Sequence, residues 1–171
     1  MKKSIILLVA IVLIAGLTNK ISAQTSETKS NEARAQVLTS IGLSAINPLE
    51  FGGFMSAAIG TVVLTPLSVR TATGGVTLYA TSITPTAASY NINGAPNASY
   101  TIVVPTTDQA LTRVGNAETM IANLFTCSYP SLASTLDGSG IGSFSVGATL
   151  EVGAAQAPGV YVGNFDVTIA Y

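Results

Sequence analysis

The chain has 171 residues, with seven Lys and Arg against eight Asp and Glu, no histidine, no tryptophan and one cysteine. Without histidine it lacks the commonest general base and zinc ligand, and with one cysteine it can close no internal disulfide. Only 9% of its residues are charged, the formal net charge is −1, and it offers no basic footprint for nucleic acid.

Lys2 and Lys3 precede an apolar run from Ile5 to Leu17, and a polar stretch then leads to Ile21, Ser22 and Ala23. That is the pattern of an export signal over residues 1–23, cleaved after Ala23. The run is shorter than the about 20 apolar residues of a membrane-spanning helix. The protein is therefore expected to pass through the periplasm to the cell surface or the medium. Cleavage would leave four basic residues, Lys29, Arg34, Arg70 and Arg113, against eight acidic ones. So uncharged an exterior suits a protein that packs against copies of itself.

Residues 24–34 form a polar leader without apolar periodicity, and a single domain is expected over 35–171. Its first strand is read from Ala35, Val37, Thr39, Ile41, Leu43 and Ala45, which recur every second residue and so share one face. Asn47 and Pro48 end it, and Leu49, Phe51 and Phe54 make an apolar corner around Gly52 and Gly53. Residues 61–71 read as a strand apolar on both faces, with Pro66 demanding an edge or a bulge. Gly74 and Gly75 read as the tip of a tight hairpin returning through Val76 to Ile83. Ala88, Tyr90 and Ile92 alternate up to a turn at Asn93 and Gly94, and Tyr100, Ile102 and Val104 alternate up to Pro105. Residues 106–118 read as a loop, 120–129 as a strand holding Cys127 as a small buried hydrophobe, and 130–142 as a second loop. The most regular pattern lies at the end. Phe144, Val146, Ala148, Leu150 and Val152 alternate, as do Phe165, Val167, Ile169 and Tyr171, and the two runs read as one terminal hairpin.

Seven or eight short strands separated by turn signals predict an all-β antiparallel β-sandwich, and a closed barrel fits the same periodicity. Glu50, Asp108, Glu118, Asp137, Glu151 and Asp166 are scattered, with neither the spacing of a carboxylate pair nor that of a calcium loop. The expectation is a protein that is not an enzyme and carries no metal and no cofactor. Asn97, Ala98 and Ser99 match a glycosylation triplet but read as turn residues.

Three blocks carry a likeness to a known family: Ile46 to Gly52 (INPLEFG), Ile92 to Pro105 (INGAPNASYTIVVP), and the terminal run with Gly147, Leu150, Val152, Gln156, Gly159, Tyr161, Gly163, Phe165, Val167, Thr168 and Tyr171. Together they resemble small secreted, fimbrillin-like bacterial domains of unknown function related to the major subunit of the Mat or Ecp common pilus. The resemblance implies an immunoglobulin-like sandwich and a structural role in a surface fibre, with identical subunits as partners and a periplasmic chaperone in transit. In related pilins a neighbour's N-terminal segment fills a groove left by a missing strand. Here the leader 24–34 is polar, so the implied donor is Ala35 to Ala45, a stretch equally readable as the domain's own first strand. Phe165, Val167, Ile169 and Tyr171 would either seal the sandwich or dock on the chaperone. A small outer-membrane barrel and a self-contained secreted binding module, using the loops 106–118 and 130–142, stand as the alternatives.

Overall fold

The computed structural model describes residues 26–171, so the export signal expected over 1–23 lies outside the described residues. The chain divides into two units, 1–36 and 37–171. In the first, the described residues 26–36 are exposed, carry neither strand nor helix, and hold two local ion pairs, Lys29 to Glu27 at 3.1 Å and Arg34 to Glu32 at 2.8 Å.

The second unit is all-β, with no helix among the described residues. Its eleven strands are β1 (Gly42–Asn47), β2 (Gly53–Leu64), β3 (Arg70–Tyr79), β4 (Ala88–Asn93), β5 (Ser99–Val103), β6 (Gln109–Arg113), β7 (Thr119–Cys127), β8 (Ala133–Thr135), β9 (Ile141–Val152), β10 (Tyr161–Val162) and β11 (Thr168–Ala170). All pair antiparallel. The larger sheet runs β1-β4-β9-β7-β6-β10, with β2 also on β9 and β3 on β2; the smaller is β11-β5-β8. Neither sheet closes among the described residues, so the architecture is a β-sandwich and not a closed barrel.

β9 is the organising strand. One edge pairs with β4 over 141–146 and with β2 over 148–152, while the other pairs with β7 over 146–151. With neighbours on both edges and layers on both faces, residues Val146 to Leu150 are buried without interruption. The smaller sheet turns Tyr100 and Ile102 of β5 inward and Ser99, Thr101 and Val103 outward, the alternation that a half-buried strand requires. Val62, Leu64, Ile92, Val146 and Leu150, each at most 1% exposed, form the centre of the core.

Several expectations change. Among the described residues the first strand starts at Gly42, not Ala35: residues 35–41 have no strand partner there, and β1 continues to Asn47. The two arms of the expected terminal hairpin belong to different sheets. β9 is central in the larger one, whereas β11, only three residues long, pairs with β5 in the smaller. Gly74 and Gly75 are not a hairpin tip but lie within β3, and the reversal is made by residues 65–69 around Pro66, which therefore sits in a turn. The segments 106–118 and 130–142 contain β6 and β8. These short strands, with β10, raise the number from the seven or eight expected. Cys127 is half-buried, its Sγ 3.5 Å from the Tyr129 amide.

Candidate functional site: an open apolar groove

The β2–β3 ribbon builds the site. Gly53 pairs with Tyr79 at one end and Leu64 with Arg70 at the other. Nine steps of a straight strand would hold Arg70 and Tyr79 roughly 30 Å apart. Instead Arg70 Nη2 donates to Tyr79 O at 3.1 Å, and Nη1 donates to Phe51 O at 2.8 Å and Gly53 O at 3.0 Å. The ribbon must therefore double back on itself. It does so where Ala57, Ala58 and Ile59 oppose the single residue Gly75, a bulge at which the register shifts between Ser56 and Gly60. The glycines belong to this bend: Gly74 has φ +63, and a Cβ on Gly75 would lie 2.5 Å from the Ala58 nitrogen.

Doubling back carries Gly53–Ser56 and Val76–Tyr79 away from β9, which pairs only with residues 60–64 of β2. Gly53 to Ser56 therefore pair with β3 alone, and among the described residues no strand pairs with their other edge, although Gly53 O is held by Arg70 and the Ser56 hydroxyl donates to Gly153 O. Between this edge and the segment 156–165 lies a groove of about 1410 Å³. Leu111, Met120 and Leu150, on the adjacent strands β6, β7 and β9, form its floor, and Phe51 and Phe54 stand on the ribbon side. Phe165 closes the far wall, its ring 5.0 Å from that of Phe125. The far wall is braced by Gln156, which donates to the Tyr161 hydroxyl at 2.8 Å, and by that hydroxyl, which donates to Ala157 O at 2.8 Å. Tyr90, stacked on Phe144 at 4.9 Å, has its phenol pushed up by burial and stays neutral.

Glu50 is the single charged residue lining the groove. Its backbone is fixed by two bonds with Thr86, at 2.8 and 2.9 Å, while its carboxylate accepts no hydrogen bond or ion pair among the described residues. Arg70 is not its partner, because its guanidinium serves the carbonyls on either side. Among the described residues no three His, Cys, Asp or Glu side chains come together as a metal site. The groove presents mainly apolar surface beside a strand edge that no other strand covers among the described residues.

A family profile described as a domain of unknown function, DUF4402, matches residues 41–171. The chain belongs to the DUF4402 family. The DUF4402 domain takes in all eleven strands and the groove, and leaves residues 26–40 outside it. No curated protein and no solved structure matches the chain. The DUF4402 match itself is silent on pilus subunits.

The residues singled out in the sequence fall at three places around the DUF4402 domain. Ala35 precedes it, and Val37, 96% exposed, has no strand partner. Leu43 and Ala45 lie in β1, opposite Ile92 and Tyr90, and Ala45 reaches the groove. Phe165 is in the groove wall, Val167 is half-buried, and Ile169 pairs with Ile102. Thr39 and Tyr171 are brought together: the Tyr171 hydroxyl donates to Thr39 O at 2.8 Å and accepts from the Ala95 amide at 2.6 Å. The sequence reading marked Phe51 and Phe54 as a corner but missed Leu111, inside a supposed loop, and gave Glu50 and Arg70 no role. Burial alternates along β6, with Gln109, Leu111 and Arg113 half-buried and Ala110 and Thr112 exposed, but Leu111 shares its face with two polar residues, so the sequence carried no period-two apolar signal there.

Proposed function

We propose that the protein is a non-catalytic structural subunit of a bacterial surface fibre, pilus- or fimbria-like, whose copies are joined by β-strand addition. The groove carries this reading. An unpaired strand edge beside apolar hollows suits an extended peptide, which supplies ladder hydrogen bonds with its backbone and fills hollows with alternate side chains. The volume of about 1410 Å³ exceeds the roughly 300–1,000 Å³ of small-molecule pockets.

The occupant is a segment of a second copy, Ala35 to Ile41. Its alternate residues Ala35, Val37, Thr39 and Ile41 are small or branched, it has no strand partner among the described residues, and nearly all of it precedes the family domain. The longer donor implied by the resemblance ran to Ala45, but residues 42–45 belong to β1. The likeness to Mat and Ecp pilus subunits, the immunoglobulin-like sandwich it implies and the export signal support the same reading. They add a periplasmic chaperone that would cover the groove in transit. No specific observation favours a self-contained binding module.

The test is an immunoblot of surface extract, unboiled against boiled, from cells producing the full chain or a chain lacking residues 35–41. The intact chain is expected to give a ladder that collapses to one band on boiling. The shortened chain, which keeps β1 but loses the Thr39 bond and the packing of half-buried Ile41 on the core, is expected to be exported and to run as one band in both lanes. An unchanged ladder from the shortened chain would exclude this donor.

A further inference from the structure

We infer that Arg34, the residue directly before the inserting segment 35–41, pairs with Glu50 of the receiving copy, and that this pair sets the register of strand addition; the inference rests on the fibre reading. A strand that slips by one residue turns all its side chains to the wrong face, and one that slips by two replaces each side chain with a neighbour's. Packing separates registers two residues apart only through the size differences among Ala35, Val37 and Ile41 and the hydroxyl of Thr39. A charge does better. Among the described residues the groove lining contains one, on Glu50, and the uncharged segment 35–41 is preceded directly by one, on Arg34.

Both ends of the pair are available. Glu50 is half-buried on a backbone held by Thr86, and its carboxylate has no partner among the described residues. Arg70, the nearest cation by its bonds to Phe51 and Gly53, is committed to three carbonyls. Arg34 holds only Glu32, in a pair whose side chains are 83% and 70% exposed. Such a pair is screened by water and is cheaply exchanged. A carboxylate covered by an inserted strand, by contrast, needs a cation, because leaving it buried and unpaired is costly.

The experiment compares Arg34→Glu, Glu50→Lys and the combined exchange in full-length chains, reading the temperature at which half the detergent-resistant ladder dissociates. Each single change is expected to lower that temperature and the ladder's yield severalfold, and the combined exchange to recover most of both. Because a lysine at position 50 would sit near Arg70, Arg34→Gln and Glu50→Gln are measured as a second cycle. Their combination is expected to cost no more than either alone, as a coupled pair requires. Single changes without effect, or losses that simply add in both cycles, would overturn the pairing. If deleting residues 35–41 abolishes the ladder while these substitutions leave it unchanged, the fibre reading stands and the register inference alone falls. If the deletion leaves the ladder intact, the donor segment 35–41 and the register inference fall together.

Discussion

Leu124 sits at φ +46, in the left-handed region where a leucine is strained, and its side chain is 72% exposed. Its position explains the strain. It lies in the β7 bulge, where the register on β9 shifts between Asn123 and Thr126, and the extra residue lets Phe125 point into the core while Leu124 points out. Asparagine tolerates this backbone better than leucine. Leu124→Asn is therefore expected to raise stability by about 0.5–1 kcal/mol, seen as a higher urea midpoint at an unchanged slope. Asn97, at φ 57 in a turn, already has the side chain suited to such a backbone.

At the scale of elements, alternation in the sequence located β4, β5, β7 and β9, because a strand with one face in a core repeats every second residue. It did not say which strands would be neighbours. The period of two fixes a face, not a partner, so adjacency in the chain made a hairpin of β9 and the terminal strand where the structure divides them between sheets. Gly74 and Gly75 misled for a related reason. Positive φ is needed both at a hairpin tip and at the bend of a folded ribbon, and only the partner strand tells these apart. The groove depends on that bend, so it was invisible in the sequence, although Phe51 and Phe54 were marked as a corner. Within β9, Gly147 meets the backbone of the β2–β3 turn, where an added Cβ would lie 2.6 Å from the Thr65 carbonyl carbon. Gly147→Ala is expected to destabilise the domain by about 1–3 kcal/mol, the range of overpacked cores, and to lower the melting temperature by several degrees.

For the molecule as a whole, scarce charge and an open groove make one description. Charged side chains on edge strands normally discourage pairing between chains. β1 has none, and on β3 the only one, Arg70, is turned inward onto carbonyls. Such a surface leaves its strand edges available, which accords with self-association and puts the specificity of any joint on few groups.

The central place of β9 also bears on time. The ribbons β2–β3 and β6–β7 can each form from residues near one another in the chain, and β1 pairs with β4 across the β2–β3 ribbon, yet the larger sheet joins the three pairs only through Ile141–Val152. As a ribosome makes the chain, more than three quarters of it must exist before that joining strand does. Closure of such distant pairings is slow, so refolding from urea is expected in milliseconds to seconds, with tyrosine fluorescence by stopped flow as the measure. Until that moment β2 and β4 wait with one edge unpaired, which makes the interval before β9 arrives the time of greatest exposure to wrong partners.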